Sequence, residues 1–391
     1  MDNIFMKKSR IFKNKFALSE RYLPESLIAR TQQVRDVADL LEPVLYNVEP
    51  QNAIIAGKKG TGKTTVVRCV LRKLNDVITN EKLNVFTVFL NCENINTTSQ
   101  IILEAVNCIS PETEVPKTGL SIGEYYGILW GALNKKNSSL IIVFDNIEFL
   151  KNYNMLQTLA SAGENMYLKD NVFIGVIGIS DDLFFSEKFN SRIGRSLKQK
   201  DIIFPSYNQK QISDILLSRS VVAFEDNVIA EDVISLCAAL SMKKGYAHRA
   251  LSLLEKAGEI AENKNESVIT YEHIYLANDE LNSKVFFESL KNLPIHSKLV
   301  LLSIIDLVED LDDKVTTGQV VSKYQNMCSK INLNPLGRTS VSKIVSDFDM
   351  QRIISAPVRS RGRYGKTRLI SIKNINQIKE VLSCDYRLND L

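Results

Sequence analysis

One short segment limits what this chain can fold into more than any other. Residues 57–64 read Gly-Lys-Lys-Gly-Thr-Gly-Lys-Thr, which fits the pattern GxxxxGK[ST]. The apolar run AIIA precedes it and the amphipathic run TTVVRCVLRKL follows it, so a strand enters a glycine-rich loop that opens a helix. This context predicts a phosphate-binding loop at the carboxyl end of a strand in a parallel α/β sheet.

The residue types of this loop suit a nucleotide. Backbone N–H groups can curve around phosphates where glycines allow it, and the helix N-terminus adds a partial positive charge. Lys63 would reach the β- and γ-phosphates and Thr64 would ligate Mg²⁺. We therefore expect ATP or ADP with Mg²⁺ as cofactors. The loop residues assigned to this site are Gly57, Gly60, Gly62, Lys63 and Thr64.

A second apolar run ends in a carboxylate. Residues 139–145 read Ser-Leu-Ile-Ile-Val-Phe-Asp, so Asp145 would hold Mg²⁺ together with Thr64. The next residue is Asn146, where ATPases with fast turnover usually have a glutamate; an amide can hold a water but cannot act as a base. We expect slow or negligible hydrolysis, unless Glu148 reaches the attacking water.

Hydrophobic patterning predicts the core of the sheet. The runs VFTVFLN, LIIVFD (140–145), VFIGVIGI (172–179) and DIIFP (201–205) join AIIA to make five strands. The last three of these runs are apolar without alternation, which predicts strands buried on both faces. A helix with apolar residues at helical spacing is expected before the first strand.

Three domains follow from this pattern. Residues 1–206 would form the α/β nucleotide-binding domain, and residues 207–282, which show helical periodicity and no strand pattern, a helical lid. Residues 283–391 would form three helices, near 297–310, 317–330 and 339–348, and then a β-hairpin. Such an arrangement is typical of a winged helix.

Positive charge is concentrated near the predicted hairpin. No acidic residue lies between Met350 and Lys373, although the net charge of the chain is only +4 and by itself indicates no polyanion partner. A basic hairpin tip can enter a minor groove while the preceding helix reads the major groove. The predicted DNA contacts on that helix are Arg338, Thr339, Ser340, Ser342 and Lys343, and those on the hairpin are Arg359, Arg361, Arg363, Tyr364, Lys366 and Arg368.

Other sites are disfavoured by the sequence. The six cysteines are scattered without a CxxC pair, which favours reduced thiols over a zinc site. No apolar stretch approaches the roughly 20 residues of a membrane span. We expect a cytoplasmic, nucleoid-associated protein with no membrane contact.

Several stretches together resemble the archaeal replication-origin initiators, AAA+ ATPases of the origin recognition complex subunit 1 and cell division control protein 6 type. These stretches are IFKNKFALSERYLPESLIAR, AGKKGTGKTT, VPKTGLSIGEYY, LIIVFDNIEFL, GVIGISDDLFF, IIFPSYNQKQISDILLSR, GYAHRALSLLEKAGEIAE and SRGRYGKTRLISI. The resemblance implies an α/β P-loop AAA+ domain with a five-stranded parallel sheet, an α-helical lid and a C-terminal winged helix. It also implies double-stranded origin DNA, the replicative helicase and paralogous initiator subunits as partners.

The resemblance adds residues that spacing alone does not indicate. It assigns residues 61–65, including Thr61 and Thr65, to the phosphates, and Tyr207 and Arg219 to the nucleotide. It also implies a second DNA contact from residues 116–126. The residues named for that contact are Lys117, Thr118 and Ser121.

Three catalytic positions depart from the family's pattern. Asn146 replaces a glutamate beside Asp145, Asp181 replaces a sensor asparagine, and His248 stands where the lid's sensor arginine is expected, with Arg249 as a substitute. An acid near a γ-phosphate would repel it, so the departures indicate a diverged paralogue. Arg192 and Arg195 are either trans-acting fingers or ordinary surface arginines.

Four interpretations are consistent with these features. The first is an ATP-switched protein that marks replication origins and helps to recruit or load the helicase. The others are a transcriptional or regulatory DNA-binding protein of the same architecture, an actively hydrolysing DNA-dependent ATPase or loader, and a chain active only beside a complete paralogue. Sites bound in the genome, ATP turnover and mixed binding would distinguish them.

Overall fold

The protein consists of two compact units, Met1–Ala277 and Asn278–Leu391. A computed structural model describes residues 9–242, 247–311, 315–360, 366–372, 374–383 and 385. Each unit has its own buried core.

The first unit is built on a five-stranded parallel sheet. Its strands are β1 (Ala53–Ala56), β2 (Val85–Asn91), β3 (Ser139–Asp145), β4 (Ile174–Ser180) and β5 (Lys200–Ile203). Their order is β2-β3-β4-β1-β5, and every neighbouring pair is parallel. The predicted sheet is confirmed. Because β4 lies between β1 and β3, the carboxyl ends of these three strands meet at one edge.

One prediction about this sheet is wrong. β5 was expected to be buried on both faces, but Lys200, Asp201 and Ile203 are exposed, Ile203 to 49%, and Ile202 alone is buried. The reason is its position, because β5 is an edge strand that pairs only with β1. An apolar run of four residues does not distinguish an edge strand from a central one.

Helices cover both faces of the sheet. Ile55 of β1 packs with apolar residues of the first two helices on one face, and Ile54 packs with the next helices on the other. Successive strand residues point to opposite faces, which explains this division. The helices up to the lid are α1 (Thr31–Leu41), α2 (Lys63–Asn80), α3 (Thr98–Ile109), α4 (Ile122–Lys136), α5 (Asn154–Ala160) and α6 (Ser191–Leu197).

The predicted lid is helical. Its helices are α7 (Gln209–Ala223), α8 (Val233–Met242), α9 (Ala247–Asn263) and α10 (Tyr271–Lys291). The domain boundary predicted between residues 282 and 283 falls inside α10. Within the described ranges, no helix is both long and apolar enough to cross a membrane.

The N-terminal segment is attached to the lid. Phe12 stacks on Phe224 with ring centroids 5.1 Å apart, and the N–H groups of Lys13 and Asn14 both donate to the carbonyl of Ala223, at 2.9 and 3.0 Å. Residues 12–14 are therefore part of the packed first unit.

The second unit is a winged helix, as predicted. Its elements are α11 (Ile295–Leu311), β6 (Val315–Thr316), α12 (Thr317–Lys330), α13 (Arg338–Met350), β7 (Ile354–Ser355), β8 (Val358–Ser360), β9 (Lys366–Ile372) and α14 (Ile375–Ser383). β6, β7 and β8 each pair antiparallel with β9. Two elements were not predicted: β6, which has only two residues, and α14. The break between β7 and β8, where Pro357 has no N–H for the ladder, was not predicted either.

Two buried polar contacts hold this unit together. Tyr324 is fully buried, its hydroxyl accepts the Leu336 N–H at 3.0 Å, and it lies 2.7 Å from His296 Nδ1. Burial raises the pKa of Tyr324 to about 12, so the phenol remains protonated. Lys298 Nζ lies 2.6 Å from Asp385 Oδ2, with both side chains less than 10% exposed. The bond from the Leu336 N–H to the Tyr324 hydroxyl fixes the turn that leads into α13.

Candidate nucleotide site and nucleic-acid interface

The glycine-rich loop connects β1 to α2 and is joined to the end of β4. The Gly57 N–H donates to the carbonyl of Ser180 at 3.3 Å. Gly60 and Gly62 have φ values of 73° and 88°, which side chains rarely tolerate. A Cβ at Gly62 would also lie 2.5 Å from the hydroxyl of Tyr207, so the loop packs directly on that ring. Its glycines are therefore required by its shape.

Lys63 lies inside the loop. Its side chain is 5% exposed, and Nζ donates to the carbonyls of Gly57 and Lys58 at 2.6 and 3.0 Å. A third bond runs to Asp181 Oδ1 at 2.8 Å. These bonds hold the ammonium group inside the loop, and its contact with phosphate oxygens stays a prediction.

Thr64 and Asp145, which were predicted to ligate Mg²⁺ together, lie in contact with each other. The Thr64 hydroxyl donates to Asp145 Oδ1 at 2.9 Å. Burial raises the pKa of Asp145, and the bond from Thr64 and the charges of Arg68 and Lys63 oppose that shift. Mg²⁺ prefers hard oxygen ligands and usually combines one or two carboxylates with substrate phosphates. The donors present therefore fit a Mg-nucleotide.

The two residues considered as water-positioning groups are turned to other partners. Asn146 has φ 54°, and its amide donates to Asn91 Oδ1 at 3.4 Å. Glu148 Oε1 accepts the Asp181 N–H at 3.3 Å, and its buried Oε2 has no hydrogen-bond partner among the described residues. Glu148 therefore fixes the backbone that follows β4.

Arg30 contacts the phosphate-binding loop, and this role was not predicted. It is 2% exposed, and its guanidinium donates to the carbonyls of Thr61 at 2.9 Å and Pro205 at 2.6 Å. The guanidinium also stacks on Tyr207, 3.8 Å from the ring centroid. Burial lowers the pKa of Arg30, and the Tyr207 neighbour opposes the shift. Its partners are distant in sequence, so no local pattern could have indicated this role.

The lid residues assigned by resemblance lie near the N-terminal segment. Arg219 donates to the carbonyls of Ala17 and Tyr22 at 3.3 and 3.4 Å. His248 Nδ1 lies 2.5 Å from Glu20 Oε1, and burial lowers the pKa of Arg249. The structure shows contacts of these residues within the protein, and their predicted contacts with a nucleotide stay predictions.

The remaining residues named in the first unit lie at its surface. Arg192 and Arg195 of α6 are exposed, and so are Lys117 and Thr118 in the loop before α4. Ser121 caps α4, since its hydroxyl accepts the Glu124 N–H at 3.3 Å. All three residues are exposed, and Ser121 also has a local structural role.

α13 presents most of its predicted DNA contacts to solvent. Arg338, Thr339, Ser340 and Lys343 are exposed and Ser342 is half-buried, while Arg359 is exposed on β8. Arg338, Lys343 and Arg359 have no hydrogen-bond or ion-pair partner among the described residues. Lys366 begins β9. Three predicted contacts, Arg361, Arg363 and Tyr364, lie outside the described residues.

Arg368 has partners within the protein, and its predicted DNA contact stays a prediction. Its guanidinium donates to Ser346 Oγ at 2.9 Å and to the Ala356 carbonyl at 3.1 Å, and it pairs with Asp349 Oδ2 at 3.5 Å. Asp349 Oδ1 in turn accepts the Ala356 N–H at 2.9 Å. Arg368 therefore fixes the hairpin against α13.

Three family models match successive parts of the chain. An AAA domain matches residues 47–181, the Cdc6 AAA+ ATPase-type lid domain matches residues 213–279, and the CDC6 C-terminal winged helix domain matches residues 288–380. Their order is that of the α/β unit, the lid helices and the winged helix.

Curated relatives extend over the whole chain. The ORC1-type DNA replication protein 1 of Archaeoglobus fulgidus is 35% identical, over 100% of this chain and 95% of its own length. The ORC1-type DNA replication protein of Pyrococcus abyssi is 37% identical with the same coverage. The solved structure of the Aeropyrum pernix ORC1 protein in complex with DNA matches with a TM-score of 0.78 and 35% identity, over 98% of this chain and 99% of that one. The chain therefore belongs to the ORC1/Cdc6-type family of archaeal AAA+ replication initiators.

Proposed function

We propose that this initiator binds ATP or ADP with Mg²⁺ at the loop of residues 57–64 and recognises double-stranded origin DNA through its winged helix. The observation that carries the DNA part is the set of exposed cations on α13 and β8. Arg338, Lys343 and Arg359 have no protein partner among the described residues, whereas the neighbouring Arg368 does. The Aeropyrum pernix ORC1 protein, whose structure was solved with DNA, supports this assignment.

The chemistry of α13 suits a helix in the major groove. Arginine and lysine bind guanine edges and phosphates, and threonine and serine hydroxyls donate to either. Tyr324 and Arg368 hold the turn before α13 and the hairpin after it, so the helix and β8 keep a fixed geometry. Lys117 and Thr118, exposed in the first unit, would supply the second contact.

The DNA assignment is tested with the variant Arg338→Ala plus Lys343→Ala. We expect it to bind an origin duplex about 10- to 100-fold more weakly than wild type, and its salt dependence to be shallower by about one unit per lost phosphate contact. Fluorescence anisotropy over a salt series, with origin and shuffled duplexes, measures both quantities. Lys323→Ala is the matched control, because Lys323 pairs with Asp306 and Asp310. Equal binding by the double variant and the control would refute the assignment.

We further propose that ATP serves this chain as a switch and not as a fuel. Asn146 cannot act as a base, and one carboxylate oxygen of Glu148 accepts a hydrogen bond from the Asp181 N–H. We expect a turnover below about 0.1 per minute, far under the typical range of 1–10³ s⁻¹ for enzymes. Phosphate release, measured with and without origin duplex, tests this proposal. Sustained turnover that rises with DNA would instead indicate a DNA-dependent ATPase.

Recruitment or loading of the replicative helicase completes the proposal, and paralogous initiators would act beside this chain. Both parts rest on membership of the initiator family. Co-retention of the source organism's helicase on an immobilised origin duplex, only after this chain has been bound, would support recruitment. Equal retention on bare duplex would refute it.

A further inference from the structure

The carboxylate of Asp181 forms an ion pair with Lys63, the lysine that would bind the nucleotide's phosphates. Asp181 follows β4 directly, and Ser180 before it accepts the N–H of Gly57. Its Oδ1 lies 2.8 Å from Lys63 Nζ, and its side chain is 39% exposed, so it stands at the open side of the loop. Glu148 holds the Asp181 N–H at 3.3 Å. The position of the acid is therefore set by its backbone as well as by its ion pair.

The carboxylate oxygen of Asp181 takes one of the three N–H donors of the Lys63 ammonium group. A P-loop lysine binds oxygens of the β- and γ-phosphates. An anionic oxygen within hydrogen-bond distance of Lys63 Nζ therefore competes with the terminal phosphate for the same ammonium group. A diphosphate lacks that phosphate, so its β-phosphate would need to displace only the bonds from Lys63 Nζ to the Gly57 and Lys58 carbonyls, and the bond to Asp181 can remain.

The charges around the site strengthen this competition. Asp145 and Glu148 are also carboxylates, and the cations that act on Asp145 are Arg68 and Lys63. A triphosphate adds negative charge beside Asp181, and like charges in a partly buried site repel each other. An uncharged amide at this position would not oppose it.

We propose that Asp181 makes this site select a nucleoside diphosphate over a triphosphate. The inference rests on the proposed nucleotide site and adds which nucleotide the site prefers. It gives the switch a direction, because the diphosphate state is favoured unless something displaces Asp181 from Lys63.

The test compares two neighbouring acids in the full chain. Nucleotide-free wild type, Asp181→Asn and Asp182→Asn are titrated calorimetrically with Mg-ADP and with a non-hydrolysable Mg-ATP analogue. We expect Asp181→Asn to raise the affinity for the triphosphate analogue by roughly 10- to 100-fold, equivalent to about 1.4–2.8 kcal/mol, with ADP affinity changed less than threefold. Asp182 pairs with Lys188 at 2.8 Å and not with Lys63, so Asp182→Asn should keep the wild-type ratio.

Two other results would overturn the inference, and they are distinguishable. If Asp181→Asn binds both nucleotides but keeps the wild-type ratio of affinities, Asp181 does not select between them. If neither wild type nor variant binds either nucleotide, the proposed nucleotide site itself is refuted. Circular dichroism of each variant verifies that the fold is intact.

Discussion

The variant Lys63→Ala should lose at least about 100-fold in affinity for ADP and for a non-hydrolysable ATP analogue, which corresponds to about 2.8 kcal/mol. Lys63 is 5% exposed and its ammonium group lies inside the loop, within 3.0 Å of two of the loop's own carbonyls. A nucleotide would receive charge-assisted hydrogen bonds from this group, which are about twice as strong as neutral ones. Alanine supplies neither the charge nor the donors.

Lys59→Ala is the matched control for this prediction. Lys59 belongs to the same loop but is exposed, so its loss should change affinity less than threefold by long-range charge alone. Isothermal titration gives both affinities, and thermal shifts provide a second readout. A ligand at about 100 times its Kd stabilises the folded state by about 2.7 kcal/mol, so the shift seen in wild type should disappear in Lys63→Ala. Unchanged nucleotide binding in Lys63→Ala would contradict the assignment of this loop.

The local part of the nucleotide site could be predicted because its residues are close in sequence or end a recognisable strand. The loop residues and Thr64 lie within eight positions of one another, and Asp145 ends an apolar run. Parallel strands bring their carboxyl ends together, which accounts for the Thr64–Asp145 contact at 2.9 Å. Comparison with the family's pattern also indicated that Asp181 replaces a sensor asparagine. It did not show that Asp181 binds Lys63, since no pattern specifies which way a side chain turns.

The supporting contacts could not be predicted, because they join residues that are far apart in the chain. Arg30 bonds to carbonyls 31 and 175 positions away. Arg368 was counted among the DNA contacts since it lies in a basic run, but its position on β9 brings it to Asp349. Charge runs do not reveal which cations already have partners. The edge position of β5 could not be predicted either, because strand order depends on the whole fold.

The largest effect on stability is expected from Asp385→Ala in the winged helix. Lys298 and Asp385 are 6% and 9% exposed and lie 2.6 Å apart, so removing the carboxylate leaves a buried ammonium group without its partner. Breaking a buried pair in this way costs about 3–5 kcal/mol. Hydrogen exchange of full-length protein, followed by mass spectrometry, should show the opening free energy of residues 295–311 reduced by that amount.

Two further variants separate the cost of an unpaired charge from the value of the pair. Lys379→Ala removes an ion pair with Glu309 whose side chains are about 40% exposed, and such surface pairs contribute about 0–1 kcal/mol. Lys298→Met plus Asp385→Leu removes both buried charges and should recover most of the stability lost in Asp385→Ala, because a well-packed apolar pair often replaces a buried ion pair without loss. If Asp385→Ala opened residues 295–311 no more readily than Lys379→Ala, the Lys298–Asp385 pair would not contribute to holding α11 in the winged helix.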